Sequence, residues 1–444
     1  MRYYIPDSSI SSKGFDIKQT FDGGYIVVCD KESTKSSGRD LYLLKVNYLG
    51  IPEWSKTFLG HSNSYNPNTI IQAKDSCFVL TYNGMSVIKC NQRGNLIWQK
   101  SFSGTSKAII LAKDNNYIIY GEVSDSISYQ NYILKVDTSG NIIWNKRFGY
   151  EVLAQSVVES IDSCIYTISS LYTIHYQNIS KLSKNGDLIW SKNILPNTYS
   201  DKKVIIEKSF NELYIGYGLS ERYHLLKIDT SGAVLWDSSF AFLQNYNMLG
   251  FDVMCKTTNG DFILGGAAAL IDTIGYDFAF IKINQNGNLI YRRAISTAPG
   301  SQQEILGIDY TNDNGLVLVG ETSYGNVGQR RNIIIAKTDS NGYTSPIILI
   351  KNHNQFTNNF ELYQNYPNPF NPVTNIKYQI ANSSFVSLKI YDVLGREVST
   401  LVNEFKKAGS YIVTFNGSAL ASGVYFYRLN AGDFSETKRM LIIK

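Results

Sequence analysis

Lys135-Val-Asp-Thr-Ser-Gly-Asn-Ile-Ile-Trp144 sets two short apolar runs around a turn, and most of the chain repeats it. Lys135-Val136 closes one strand, Asp137 to Asn141 turns the chain, and Ile142 to Trp144 opens the next strand. An aspartate at a turn's start can accept bonds from its own backbone, and Gly140 supplies a positive φ at no steric cost. The glycine recurs as Gly50, Gly94, Gly140, Gly186, Gly232, Gly287 and Gly342, with gaps of 44, 46, 46, 46, 55 and 55 residues. Four positions after the first five stand Trp54, Trp98, Trp144, Trp190 and Trp236, which are all five tryptophans of the chain. Tyr291 and Pro346 take that place in the last two repeats. Five residues before the glycines stand Lys45, Lys89, Lys135, Lys181, Lys227, Lys282 and Lys337.

Each repeat reads as four strands, a to d. In the first, the strands are expected at residues 15–20, 25–29, 41–46 and 54–58. The a–b turn recurs as Asp22-Gly-Gly24, Asp75-Ser-Cys77, Asp114-Asn-Asn116, Asp162-Ser-Cys164, Asn259-Gly-Asp261 and Asp313-Asn-Gly315, with Phe210-Asn-Glu212 the poorest version. Asn83-Gly84 is a strong hairpin signal between strands b and c of the second repeat. Four-stranded units at such a period, each with an aromatic at a fixed place, indicate a β-propeller. A lone blade cannot bury both faces, whereas a ring of blades can. The glycine turns predict seven blades over residues 1–350. A buried Trp covers ~150–250 Å², worth roughly 4–6 kcal/mol at most when fully removed from water. The five indoles are therefore expected to pack blade on blade. Counting back from Asp22 places residues 2–5 where a strand d belongs, and Pro346 weakens strand d of the last repeat. The N-terminal strand is expected to close the ring, with residues 346–350 the competing edge.

The repeat resembles the tryptophan-docking motif of quinoprotein-type propellers: Asp137, Gly140, Trp144, and again Asp229, Gly232, Trp236. That resemblance implies a fold and no activity. Composition agrees with an all-β globular chain: 444 residues, 43% hydrophobic, 13% aromatic, with 32 tyrosines. Net charge is +5, without a block of like charge, so no nucleic-acid partner is expected. No run of about 18 apolar residues predicts a membrane span. Cys29, Cys77, Cys90, Cys164 and Cys255 form no C-x-x-C and are expected to be small buried hydrophobes.

Residues 351–361 read as a polar linker, and residues 362–444 as a small Ig-like β-sandwich. Short alternating segments are expected at 375–380, 386–391, 411–415, 424–429 and 437–443, punctuated by Gly395, Gly409 and Gly423. Ahead of them runs Asn365-Tyr366-Pro367-Asn368-Pro369-Phe370-Asn371-Pro372, expected to be a stiff lead-in that holds the small domain apart. This string, with Leu388-Lys-Ile-Tyr-Asp392, Gly395, Ser422-Gly423-Val-Tyr425 and the basic end from Lys438 to Lys444, resembles the type A C-terminal sorting domain of type IX secretion cargo. The resemblance implies export to the outer surface of a Gram-negative bacterium or beyond, and a partner in the outer-membrane secretion machinery. It also implies an export leader. Met1 to Pro6 lacks the apolar core of one, so a leader missing from this sequence is expected.

No catalytic, cofactor-binding or metal site is expected. Asp309-Tyr-Thr-Asn-Asp-Asn-Gly315 has acids spaced as in a calcium loop, but Gly320 stands where the bidentate acid belongs. The repeated lysines could line an anion site, but strand c is not innermost, so each is expected to reach a local acid or carbonyl. His61, His175, His224 and His353 share no repeat position, and no hydrolase or phosphate-loop motif is present. The b–c and d–a loops vary: 30–39, 60–68, 124–131, 196–201, 271–276 and 321–331, rich in Ser, Asn, Asp, Gly and Tyr. A monomeric exported binding protein is expected, with these loops as the face for a glycan or protein. The alternative is an exported hydrolase or lyase with its site at the propeller channel.

Overall fold

The computed structural model of the protein describes all residues except 1, 5–10, 33–37, 63–68, 83, 125–127, 150–151, 172–176, 196–203, 210, 243–245, 271–274, 297–300, 325–330, 345–347, 350–359, 381–383, 407–408, 433 and 444. Among the described residues every regular element is a β-strand. The chain forms two compact units, residues 1–351 and 352–444.

In the first unit, strands Ser12–Gln19, Tyr25–Glu32, Arg39–Val46 and Pro52–Ser62 form an antiparallel sheet in chain order. Further sheets of the same order occupy residues 70–102, 105–148, 152–195, 204–241 and 246–295. The next takes Ser301–Tyr310, Leu316–Tyr324 and Arg331–Lys337, then recruits Arg2–Tyr4 from the other end of the chain, with Tyr3 opposite Ile334. Ile348–Leu349 lies parallel to Arg2–Tyr4 as a fifth strand. The two rivals for this edge thus sit side by side on it.

The sequence pattern explains the layering. Strands b and c are nearly continuous apolar runs, as in Tyr25–Cys29 and Leu41–Leu44, and are buried on both faces. Strand d alternates and leaves one side exposed, as in Ile142–Phe148. The first strand of each sheet touches the first strand of the next, and that of the last sheet touches that of the first. An apolar cluster fills each junction. The closing one joins Ile17, Val27 and Leu44 to Val317, Val319 and Ile333. Most of these first strands carry a bulge, as between Gly14 and Asp16 or Ser106 and Ala108. A bulge leaves backbone groups outside the ladder. Side chains of the neighbouring sheet also accept from N–H groups of these first strands: Asp16 accepts from Ile70, Thr69 from Ile109 and Glu122 from Ala154.

The second unit is two sheets face to face. One runs Glu361–Leu362, Val373–Ile380, Gly409–Asn416, and the other Glu397–Lys406, Ser384–Tyr391, Gly423–Ala431, Phe434–Ile442. Leu362, Phe370, Tyr378, Leu388, Tyr427 and Met440 are buried between them. Three expectations change here. Glu397–Lys406 is a strand that the sequence reading lacked; Val402 is its one buried residue, so it shows almost no alternation. The linker is shorter than 351–361, because Phe360 stacks on Phe434 with ring centroids 5.4 Å apart. The proline string is no lead-in. Phe370 and Asn365 are buried, Asn365 Nδ2 donates to Thr374 Oγ1 at 3.0 Å, and Phe370 exchanges backbone bonds with Leu441 and Ile443. Both Tyr366-Pro367 and Asn368-Pro369 are cis.

Candidate functional site

The a–b and c–d turns share one rim of the first unit, and there the repeated residues meet. A methyl group added to Gly94 would lie 2.7 Å from Trp54 Cζ3, and one on Gly186 would lie 2.7 Å from Trp144 Cζ3. Trp98 approaches Gly140 in the same way, Trp190 approaches Gly232 and Trp236 approaches Gly287. Tyr291 does the same at Gly342. Each ring therefore lies on the glycine turn of the following sheet. Trp54 Nε1 donates to Gln92 O at 2.9 Å and Trp98 Nε1 to Thr138 O at 3.0 Å. A basic residue two positions on adds a second tie: Lys100 to Asn141 at 2.7 Å, Lys146 to Asp187 at 2.6 Å, Arg293 to Asn341 O at 2.9 Å. The indoles are largely but not fully buried, so the area term stays below the roughly 4–6 kcal/mol of complete burial.

Each repeated lysine meets an acid of the a–b turn of its own sheet. Lys45 reaches Asp22 at 3.0 Å, Lys89 Asp75 at 2.6 Å, Lys135 Asp114 at 2.7 Å and Lys181 Asp162 at 3.7 Å. Lys227 reaches Glu212 at 2.5 Å, Lys282 Asp261 at 3.5 Å and Lys337 Asp313 at 2.9 Å. Partial burial works against ionisation of Asp75, Asp114 and Asp313, but hydrogen bonds from the lysine and from turn N–H groups outweigh it and hold these carboxyls below the usual range. The polar groups of this rim serve the protein itself.

The acids of 309–315 part company. Asp313 pairs with Lys337, while Asp309 lies in a first strand and accepts the Gln19 N–H at 2.8 Å. Burial raises the Asp309 carboxyl, with Lys18 opposing. Register puts Lys18, Ile71, Ile110, Val158, Ile206, Cys255 and Asp309 at one level of the first strands. That level is mostly apolar, with the charge of Lys18 held by Asp16 at 2.8 Å. His224 stacks on Tyr217 and faces Asp237 at 3.4 Å; the side chains of His61, His175 and His353 lie outside the described residues. Cys29, Cys77 and Cys90 are buried; Cys164 and Cys255 are partly exposed.

The opposite rim carries the b–c and d–a loops. Residues 33–37, 63–68, 125–127, 196–201, 271–274 and 325–330 of these loops lie outside the described residues, but their stems are defined. At the seam of the first and last sheets the stems gather charge. Arg39 holds Asp30 with two bonds, 2.7 Å from Nε and 2.6 Å from Nη2. Arg331 meets Glu321 at 3.1 Å, and Lys13 sits between Glu321 at 3.3 Å and Glu304 at 3.7 Å. Burial pushes the Asp30 carboxyl up and Arg39 pulls it down. Tyr276 lies close by, its hydroxyl donating to Gln302 at 3.5 Å. Sequence reasoning passed over this cluster, although a signal existed. Loops 30–39 and 321–331 each open on an acid and close on an arginine, and the structure pairs those ends.

In the second unit the residues expected to carry sorting lie at defined places. Asn365 and Phe370 are core; Tyr366, Pro367, Asn368, Pro369, Asn371 and Pro372 are exposed. Gly395 and Gly423 have φ of +78° and +155° with open space around them. Lys438 pairs with Glu436 at 3.0 Å, and Lys444 lies outside the described residues.

Residues 364–444 match the family described as secretion system C-terminal sorting domain, the type IX domain that the proline string resembles. Such a domain indicates export to the cell surface or the medium, and interaction with the secretion machinery. No curated protein matches the chain. Solved structures with similarity include a protein of unknown function from Bacteroides caccae, at 10% identity over 64% of this chain and 94% of that one, TM-score 0.41. BamB from Moraxella catarrhalis is 11% identical over 75% of this chain and 93% of its own, TM-score 0.39. PorZ, a surface component of the Porphyromonas gingivalis type IX system, is 10% identical over 97% of this chain and 81% of its own, TM-score 0.31. Nothing about function follows from likeness at this level. Among the described residues no helix is long and apolar enough to cross a membrane.

Proposed function

We propose that this is an exported binding protein. Residues 1–350 are a seven-bladed propeller, and residues 362–444 direct it to the surface. Its b–c and d–a loops meet a glycan or protein ligand. One observation carries the reading: the two rims differ. On the turn rim, indoles, glycines, lysines and turn acids are consumed by contacts between and within sheets. The variable loops lie on the opposite rim and spring from stems that gather charge at the seam of the first and last sheets. At the seam, Asp30, Glu304 and Glu321 supply acceptors beside donors from Lys13, Arg39 and Arg331. Alternating donors and acceptors suit a hydroxyl-rich ligand. The test is a screen of the purified protein on glycan and matrix-protein arrays, repeated with each long loop replaced by Gly-Ser. The reading expects at least one replacement to abolish a specific signal. A signal that survives every replacement would overturn it.

A further inference from the structure

We propose that one end of the sorting domain is the face that engages the outer-membrane export machinery, in an apolar pocket. This rests on the export reading above and adds which surface is read.

Register decides which loops share an end. Val373 pairs with Asn416, Tyr391 with Phe426 and Gly423 with Ile442. Phe370 N donates to Leu441 O, Ile443 N to Phe370 O, and Gly417 N to Pro372 O. The proline loop, the Asp392–Arg396 turn, the approach to Gly423 and the end of the last strand therefore converge. The residues quoted for the family resemblance, scattered through 80 positions, fall largely on this one end. The opposite end holds the connections at 381–383, 407–408 and 432–433.

The convergent end is apolar where folding does not ask for it. Tyr366 is 81% exposed, Val393 67% and Leu394 74%, with Val373 and Ile443 also exposed. The first unit supplies an internal control. Asp392 Oδ1 accepts Leu394 N at 2.9 Å and Arg396 N at 3.0 Å, and Gly395 has a φ of +78°. Asp137 Oδ1 accepts Ser139 N and Asn141 N at 2.8 Å, and Gly140 has a φ of +79°. It is the same turn. Its two middle residues are Thr138-Ser139 there, and Gln92-Arg93, Lys184-Asn185, Thr230-Ser231, Gln285-Asn286 and Ser340-Asn341 in other repeats. Tyr48-Leu49 is the one apolar pair among them. The geometry is thus satisfied by polar residues, so Val393-Leu394 is not required by the turn. Five exposed apolar residues gathered at one end, rather than one pair in a turn, mark a candidate interaction site.

Charge at the tip is balanced locally, since Arg396 Nε donates to Asp392 Oδ2 at 2.7 Å. The apolar residues are therefore what this end offers the secretion machinery that such a domain meets.

The experiment expresses the full chain, with an export leader, in a bacterium that carries the type IX system. The protein reaching the surface and medium is then measured. Val393→Ser with Leu394→Ser is expected to cut export at least about tenfold while the purified protein keeps its melting profile. Phe385→Ser with Phe405→Ser removes an equally exposed apolar pair from the other end, and is expected to leave export unchanged. Normal export of the tip variant, or equal loss at both ends, overturns the proposal. A chain truncated after residue 351 separates the two ideas. If truncation blocks export and the tip variant does not, only this proposal fails. If the truncated chain is still exported, the export reading fails with it.

Discussion

If indoles lock each sheet to the next, then Gly186→Ala should be costly out of proportion to its size. Two effects add. Gly186 has a φ of +81°, and a side chain in the left-handed region costs ~1–2 kcal/mol. The new methyl would also lie 2.7 Å from Trp144 Cζ3, 2.9 Å from Cε3 and 3.0 Å from Lys146 Cγ. Overpacking of that kind costs ~1–3 kcal/mol, for a total of roughly 2–5. Gly23→Ala separates the terms. Its φ is +80° and nothing lies within 4 Å of the added atom, so only the backbone cost of ~1–2 kcal/mol remains. In a Trp144→Ala background the ring is absent, and Gly186→Ala should fall to the same value. The coupling between the two sites is then ~1–3 kcal/mol. Urea unfolding followed by tryptophan fluorescence reports on the first unit alone, because all five tryptophans lie there. The reasoning is refuted if Gly186→Ala and Gly23→Ala cost the same, or if removal of Trp144 leaves the Gly186→Ala cost unchanged.

Other outcomes follow from the same contacts. Asp75, Asp114 and Asp313 have folded pKa values below the unfolded value of ~3.9. Their contribution is therefore complete above about pH 4 and is lost as the pH falls through the lowered values; the urea midpoint should hold from about pH 7 to 5 and then drop. A midpoint that is level down to about pH 2.5 would count against the lysine–turn pairs. Arg39→Met strands the almost completely buried Asp30 carboxylate and should cost ~3–5 kcal/mol at neutral pH, with part recovered in the double variant Asp30→Asn, Arg39→Met. Phe370→Ala empties the sandwich core beside Phe415, 6.1 Å away between centroids, and should cost the second unit ~3–5 kcal/mol. Faster cleavage within 360–444 under limited proteolysis checks it, with fluorescence of the first unit unmoved.

The turn was readable because its demands are local. Asp137 and Gly140 act within five residues, and a device that works locally can be recognised wherever it recurs. The Trp–Gly contact is not local, since Trp144 and Gly186 belong to different sheets. Only their fixed spacing gave the contact away. Glu397–Lys406 had no such help. Its neighbours on the outer face are polar and its edge position asks for charge, so alternation was erased. The proline string misled for another reason. Prolines do stiffen a chain, but stiffness does not say whether the segment stands free. Burial of Phe370 decided that, and burial depends on the partner strand ending at Ile442.

The functional surfaces divide along the same line. Loops 30–39 and 321–331 looked like independent insertions, three hundred residues apart. Ring closure brings their stems together, because Lys13 lies in the first strand of the first sheet and Glu304 in that of the last. No periodicity could announce a cluster that exists only where the repeat meets itself. A closed ring of similar sheets offers one sheet in which the N-terminal strand joins the last repeat, and the seam lies beside it. Sequence is least constrained by the repeat at that junction, since Pro346 has already replaced the packing aromatic there. Among the described residues Glu122 and Lys107 pair at another junction, but here Asp30, Glu304 and Glu321 gather with Lys13, Arg39 and Arg331, and it is here that loop replacement should first disturb binding.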